Sequence, residues 1–316
     1  TLTAKATETN MWEAAPIALP VRNIDTGLNY ATIQEAIDAA GSGDTIFVYN
    51  GTYCEPIVVS KSLTLIGEDK DITIICGCGA DYVVEIAASN VSISGSTVQN
   101  GYRGPHFVWL EAGIYVGELS SNNTISDNII TNNANGITLD STSGNNISNN
   151  IIRDNGYWSQ MSGIFVQNSS YNNIDNNYIT RNQGRGINIW GGSGYNNISN
   201  NIIENHIGDG IYLLGSTYNN ITNNTITSNK NGMRIAYAPF NFLRSNAMLN
   251  NTYNFGVHVT DPEDSIQDID TSNTANGKPI YYLLSQSDLV VEPPTFPEIG
   301  YLGIIGGNNI TLRDLT

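Results

Sequence analysis

Positive charge is scarce in this chain: 13 Lys and Arg stand against 29 Asp and Glu in 316 residues, a formal net charge of −16. Phosphate backbones need basic residues to neutralise them, so a nucleic-acid partner is not expected. Apolar runs are short, and none approaches the roughly 18 residues of a spanning helix. Histidine is rare, and His106, His206 and His258 lie too far apart in sequence to make a metal-ligand motif. Only three cysteines occur, Cys54, Cys76 and Cys78. Cys54 and Cys76 are 22 residues apart, a spacing that makes a disulfide between them feasible and leaves Cys78 over. A Cys-x-Cys metal site needs further ligands that the flanking sequence does not supply, so no metal or other cofactor is expected.

What the chain does have is asparagine in a repeat. NNISNNIIRDNG (145–156), NNIDNNYITRNQGRGINIW (172–190), NNISNNIIENHIGDG (196–210) and NNITNNTITSNKNGMRIA (219–236) are imperfect copies of one unit. The first aliphatic residues, Ile125, Ile147, Ile174, Ile198, Ile221 and Leu243, fall 22, 27, 24, 23 and 22 residues apart. Within each copy apolar and polar residues alternate with period two, the pattern of strands, and no connection has room for a helix. Asn and Gly at the junctions tolerate left-handed backbone. A unit this short cannot bury its own apolar face and must stack on its neighbours. The pattern predicts an all-β solenoid, a parallel β-helix with coils of about 22–28 residues.

Stacking gives the asparagines a role. Equivalent atoms in adjacent coils lie roughly 4.8 Å apart, so Asn128, Asn150, Asn177, Asn201, Asn224 and Asn246 are expected to form a hydrogen-bonded ladder. Asn133, Asn155, Asn182, Asn205, Asn229 and Asn251 are expected to form a second. Tyr171, Tyr195, Tyr218 and Phe240 share one place in the repeat and predict an aromatic stack.

In chain order, 1–29 is a non-repetitive arm that includes Met11, Trp12, Ile17 and Leu19, and 30–259 is the solenoid. Its first element is an amphipathic helix at 32–41, with Ile33, Ala36, Ile37 and Ala40 on one face, Thr32 as N-cap and Gly41 as terminator. Such a helix caps the open end of the core and blocks edge pairing. Enlarged loops fall at 102–112 and 156–162; 260–300 is an irregular excursion, and 301–316 begins a further coil. The chain opens at Thr1 as a processed, secreted protein would after signal-peptide removal, and its last coil reads as continuing.

The Asn-Asn-Ile-Ser-x-Asn-x-Ile coils resemble the right-handed β-helices of the pectin-lyase-like superfamily. Within it they are most similar to the NosD-like, carbohydrate-binding and sugar-hydrolase repeats of secreted and archaeal cell-surface proteins. Asn276–Tyr282 matches an excursion that such proteins carry between coil blocks. The resemblance spans about 30–316 and implies the fold and an extracellular or cell-surface location. It leaves the activity open, because the superfamily contains enzymes, adhesins and envelope proteins. No catalytic signature of its polygalacturonases, alginate epimerases or pectin esterases is present, and nothing resembles a copper ligand set.

Outward positions of the Gly-aliphatic-x-aliphatic strand are Tyr115, Thr138, Phe165, Asn188, Tyr212, Arg234 and His258, with Trp190 one position further along. Tyr115, Phe165, Trp190, Tyr212, Arg234 and His258 are thus carbohydrate-binding candidates, aromatic faces for sugar rings beside polar groups for hydroxyls. Arg185 and Asp209, one coil apart, are the best catalytic pair, with a surface ion pair as the plainer reading. Asp261, Asp264 and Asp268 are weak Ca²⁺ candidates in an acidic run. Among the sequons, Asn50, Asn90, Asn168 and Asn197 are candidate glycosylation sites. The leading expectation is a non-catalytic envelope protein that contacts glycan and assembles with itself or with other envelope proteins. The alternatives are a lyase or epimerase of acidic polysaccharides and a carbohydrate-binding module.

Overall fold

The computed structural model describes residues 19–102 and 110–315. Met11, Trp12, Ile17 and His106, together with most of the 102–112 loop, lie outside the described residues. The chain winds into a parallel β-solenoid of about eleven turns, with three long sheets running its length. The expected register holds strand by strand: Ile125 pairs with Ile147, then Ile174, Ile198, Ile221 and Leu243. These residues and their counterparts on the other two sheets are fully buried and form one continuous aliphatic core.

Most corners of the repeat are built the same way, by a left-handed residue followed by an asparagine. Asn149, Asn176, Asn200 and Asn223 have φ of 55–58° and precede the ladder Asn150, Asn177, Asn201 and Asn224. In that ladder the backbone N–H and Nδ2 of one Asn both donate to Oδ1 in the next coil, as Asn177 does to Asn201 at 2.9 and 3.0 Å. Nδ2 also donates backwards to a carbonyl, Asn177 to Ile147 at 2.8 Å. The side-chain amides of Asn150, Asn177, Asn201 and Asn224 are thereby partnered at both ends.

Two details differ from the sequence reading. The second ladder runs through His206 and not Asn205: Asn182 N–H donates to His206 Nδ1 at 3.1 Å, and His206 N–H donates to Asn229 Oδ1 at 2.9 Å. Asn205 is instead the left-handed residue of that corner, with φ 61°. A third ladder, Asn123, Asn145, Asn172, Asn196, Asn219 and Asn241, closes on Gln267. Its left-handed positions are held by Tyr171, Tyr195, Tyr218 and Phe240, whose rings stack at 5.1–5.3 Å.

The helix spans Ile33–Ala39, with Thr32 Oγ1 accepting from Glu35 N–H at 3.1 Å. The Glu55 carboxylate accepts from the N–H groups of Ile33 and Gln34, at 2.9 and 3.3 Å, where the helix dipole favours an anion. Gly41 does not terminate it. Ala40 is extended, and Lys61 Nζ donates to the carbonyls of Ile37, Asp38 and Ala40 at 3.3, 2.6 and 2.9 Å. Ile33, Ala36 and Ile37 are buried against the core. Gln34 also bonds the backbone of the edge strand at Val58 in both directions.

At the far end, Asn276 and Gly277, both with positive φ, make a two-residue hairpin turn. The chain therefore reverses at 276–277, and stacking resumes at Lys278–Leu284, which pairs in parallel with Tyr301–Ile305. That is one coil earlier than the sequence reading placed it.

Candidate functional site

The third sheet carries the candidate face. Its strands, among them Ser162–Gln167, Arg185–Trp190, Asp209–Leu214 and Asn231–Ala236, align Phe165, Asn188, Tyr212 and Arg234 in one outward row. Gln167, Trp190, Leu214 and Ala236 form the next row. A column of glycines stands beside these rows because nothing larger fits. A Cβ on Gly186 would lie 2.5 Å from the carbonyl oxygen of Gly210.

Phe165, Asn188, Trp190, Tyr212 and Leu214, with Arg185 and Gln160, line a shallow cleft of about 180 Å³. That is below the ~300–1,000 Å³ of small-molecule and cofactor pockets and suits the face of a single ring. The Phe165 and Trp190 rings lie 6.2 Å apart and 20° from parallel, and Trp190 is 37% exposed. Asn188 Oδ1, buried in the floor, accepts no hydrogen bond from the described residues.

Asp209 sits below the cleft, 2% exposed. Its Oδ2 accepts from Arg185 Nε at 3.2 Å and Arg234 Nη2 at 2.8 Å, and its Oδ1 accepts from Asn231 Nδ2 at 2.6 Å. The two guanidinium groups then sandwich the Tyr212 ring, 4.5 and 4.1 Å from its centroid. The expected Arg185–Asp209 pair exists, and Arg234 is its third member. The carboxylate is spent on holding an arginine–tyrosine–arginine stack.

Tyr115 is two coils away from Phe165 along its row. It stacks on Tyr82 at 4.3 Å and donates from its hydroxyl to Asp140 Oδ2 at 3.2 Å. Beside it, burial and the nearby Asp81 charge push the Glu111 carboxyl up to about 7. Glu111 is only 3% exposed. Sequence reading did not single it out, and only its burial distinguishes it from other glutamates.

His258 does not join the cleft. In the last strand, Tyr253–His258, Phe255 pairs with Met233 in the core, Gly256 pairs with Arg234, and His258 pairs with Ala236. Equating Gly256 with Gly232, as the Gly-aliphatic-x-aliphatic pattern does, is two residues out of register. A slip of two preserves the in–out alternation, so the pattern could not expose it. His258 Nε2 instead meets the Tyr237 hydroxyl at 2.9 Å.

The acidic run is likewise spent locally. Asp264 caps the short helical turn Pro262–Ser265 by accepting from Thr260 and Asp261 N–H groups, and Asp268 pairs with Arg244. Asp261, Asp264 and Asp268 do not converge into a ligand set among the described residues. Of the glycosylation candidates, Asn50, Asn90 and Asn168 are exposed at or beside turns. Asn197 lies within a strand, with Nδ2 donated to Asn173 Oδ1 and Ser199 Oγ.

The cysteines depart from expectation most. All three stand as free thiols, not as a Cys54–Cys76 disulfide. Their sulfurs lie within 4.8 Å of one another, with Cys76 Sγ 3.6 Å from Cys78 Sγ.

Comparison with known proteins places the chain. A family model described as periplasmic copper-binding protein (NosD) matches residues 37–208, and one described as right handed beta helix region matches 157–296. A cell surface glycoprotein of Methanothermus fervidus is 34% identical over 117 residues, 36% of this chain and 18% of that protein. The match thus spans less than a fifth of that relative's length. Among solved structures, the Dettilon tailspike protein aligns over 89% of this chain and 64% of its own, with 15% identity and a TM-score of 0.58. The A-module of a mannuronan C-5 epimerase from Azotobacter vinelandii aligns over 90% and 95%, with 14% identity and a TM-score of 0.54. These two likenesses concern the fold. No helix among the described residues is long and apolar enough to cross a membrane.

Proposed function

This chain belongs to the NosD family, and on that premise we propose that it is a non-catalytic structural protein of the cell surface whose third-sheet cleft contacts glycan. The resemblance of 117 residues to a cell surface glycoprotein supports the location. The observation that carries the non-catalytic reading is the state of Asp209. Acid–base work on a sugar needs a carboxyl free to exchange a proton with substrate. Asp209 is buried and accepts from three donors, and Glu111, the carboxyl with near-neutral pKa on this face, is also buried. What the cleft offers outward is the Trp190 ring and the Arg234 guanidinium, a pair that stacks on a ring and bonds its hydroxyls, while Phe165, Tyr212 and Asn188 are buried behind them. The family's description assigns copper to its members. On this face no ligand set for it converges among the described residues.

Binding and turnover are tested together with uronate-containing polysaccharides. The expected result is saturable binding that Trp190→Ala weakens about tenfold, in line with the loss of one ring stack, and no change in the polymer. Unsaturated products, or an altered epimer ratio by NMR, would overturn the non-catalytic reading. Absence of binding across acidic and neutral glycans would remove the glycan contact. Electron microscopy of the native envelope tests the structural role, with ordered arrays expected and dispersed monomers counting against it.

A further inference from the structure

We propose that Cys54, Cys76 and Cys78 form a three-thiolate site for one soft metal ion, Cu(I) in preference to Zn(II). The site is independent of the glycan cleft. Cys76 ends the strand Thr73–Cys76, three coils before the Phe165 strand. Cys54 follows Gly51–Tyr53, whose Tyr53 pairs with Ile75, so coil stacking sets Cys54 directly beside Cys76. Cys78 completes the triangle through a turn. It adopts φ 49°, a left-handed conformation unfavourable for a residue with a Cβ, although most other corners here use Asn, Asp or Ser. Gly77 and Gly79 donate to Gln99 and Asn100 carbonyls and pin that turn to the next coil.

The geometry fits one ion. Three sulfurs around a metal at ~2.3 Å lie about 4 Å apart, and here the shortest separation is 3.6 Å and none exceeds 4.8 Å. Asn100 Nδ2 lies 3.6 Å from Cys76 Sγ, an outer-shell donor of the kind that orients a ligand. Cys54 and Cys78 are exposed, so an ion has a path in. Thiolate donors select soft ions. Structural zinc is almost always four-coordinate, and the described residues bring only three donors together, which suits an ion content with three.

The full chain, reduced and stripped of metal under anaerobic conditions, is titrated with Cu(I) against the chromophoric chelator bicinchoninate. The expected result is one Cu(I) taken per chain, with all three cysteines protected from iodoacetamide as read by peptide mass spectrometry. Cys54→Ser and Cys78→Ser, both at exposed positions, are expected to weaken binding by about a hundredfold or more with an unchanged circular dichroism spectrum. They keep the test valid should Cys76→Ser, at a buried position, fail to fold. Unchanged uptake in the Cys54→Ser, Cys78→Ser double variant overturns the proposal, as does full alkylation of Cys54 or Cys78 in the loaded protein. Displacement of Cu(I) by equimolar Zn(II) overturns the preference and reassigns the site to a four-coordinate ion. None of these outcomes depends on glycan binding.

Discussion

One histidine stands where the corner pattern calls for asparagine, and this makes His206 the most pH-sensitive rung of the ladders. Burial holds its pKa down to about 4. Nδ1 accepts from Asn182 N–H, so the proton sits on Nε2, which finds no partner among the described residues. A base whose pKa is lower in the folded state than its ordinary ~6.5 favours folding above that value. Its contribution is lost as pH falls from about 6.5 towards about 4, because the unfolded chain takes up the proton first. His206→Asn keeps the acceptor and supplies a side-chain N–H that, as in the neighbouring rungs, donates to a carbonyl. Urea titrations across that window should show wild-type stability falling with acid and a smaller fall in the variant. At neutral pH the variant should be more stable by about 1 kcal/mol, the worth of one recovered hydrogen bond. Equal acid slopes would show that His206 is not the sensitive group.

Among the elements, the strand of the third sheet depends most on a single residue type. Gly113, Gly136, Gly163, Gly186, Gly210 and Gly232 pack backbone on backbone from coil to coil, and an added Cβ on Gly186 would meet Ile203 Cγ2 at 2.4 Å and Gly210 O at 2.5 Å. Gly186→Ala is therefore expected to cost about 1–3 kcal/mol by overpacking, measured by chemical denaturation, with circular dichroism still reporting strand. The recurrent Gly-aliphatic-x-aliphatic motif was legible in the sequence. Its cause was not, since the atoms that exclude a side chain belong to residues some 16–27 positions away. The same holds for Arg234, which reads as one outward residue among several until it is seen sharing Asp209 with Arg185.

Across the whole molecule, the danger in a solenoid is its open end, where unpaired backbone invites a second copy. The helix meets this in two ways: Ile33 and Ile37 fill the core, and the Gln34 side chain occupies the donor and acceptor of Val58. Gln34→Ala combined with Ile37→Asp should lift the helix and expose that edge. Light scattering is then expected to rise with protein concentration in the variant and to stay flat in the wild type. A variant that remains monomeric would mean that the antiparallel pair Val21–Asn23 and Asn29–Tyr30 protects the end by itself.

The sequence alone determined the coil, its length, its register across six consecutive copies, and the asparagine ladder at one corner. All of these follow from period-two alternation and a repeat spacing, which are local properties. It could not decide between Asn205 and His206, because both are polar residues at one corner and only the stacking shows which faces inward. Nor could it detect the two-residue slip at Phe255, which leaves alternation intact. The meeting of three cysteines and the enclosure of Asp209 were decided by tertiary structure. Both depend on which side chains adjacent coils bring within a few ångströms, and stacking turns separations of more than twenty residues in sequence into direct contact.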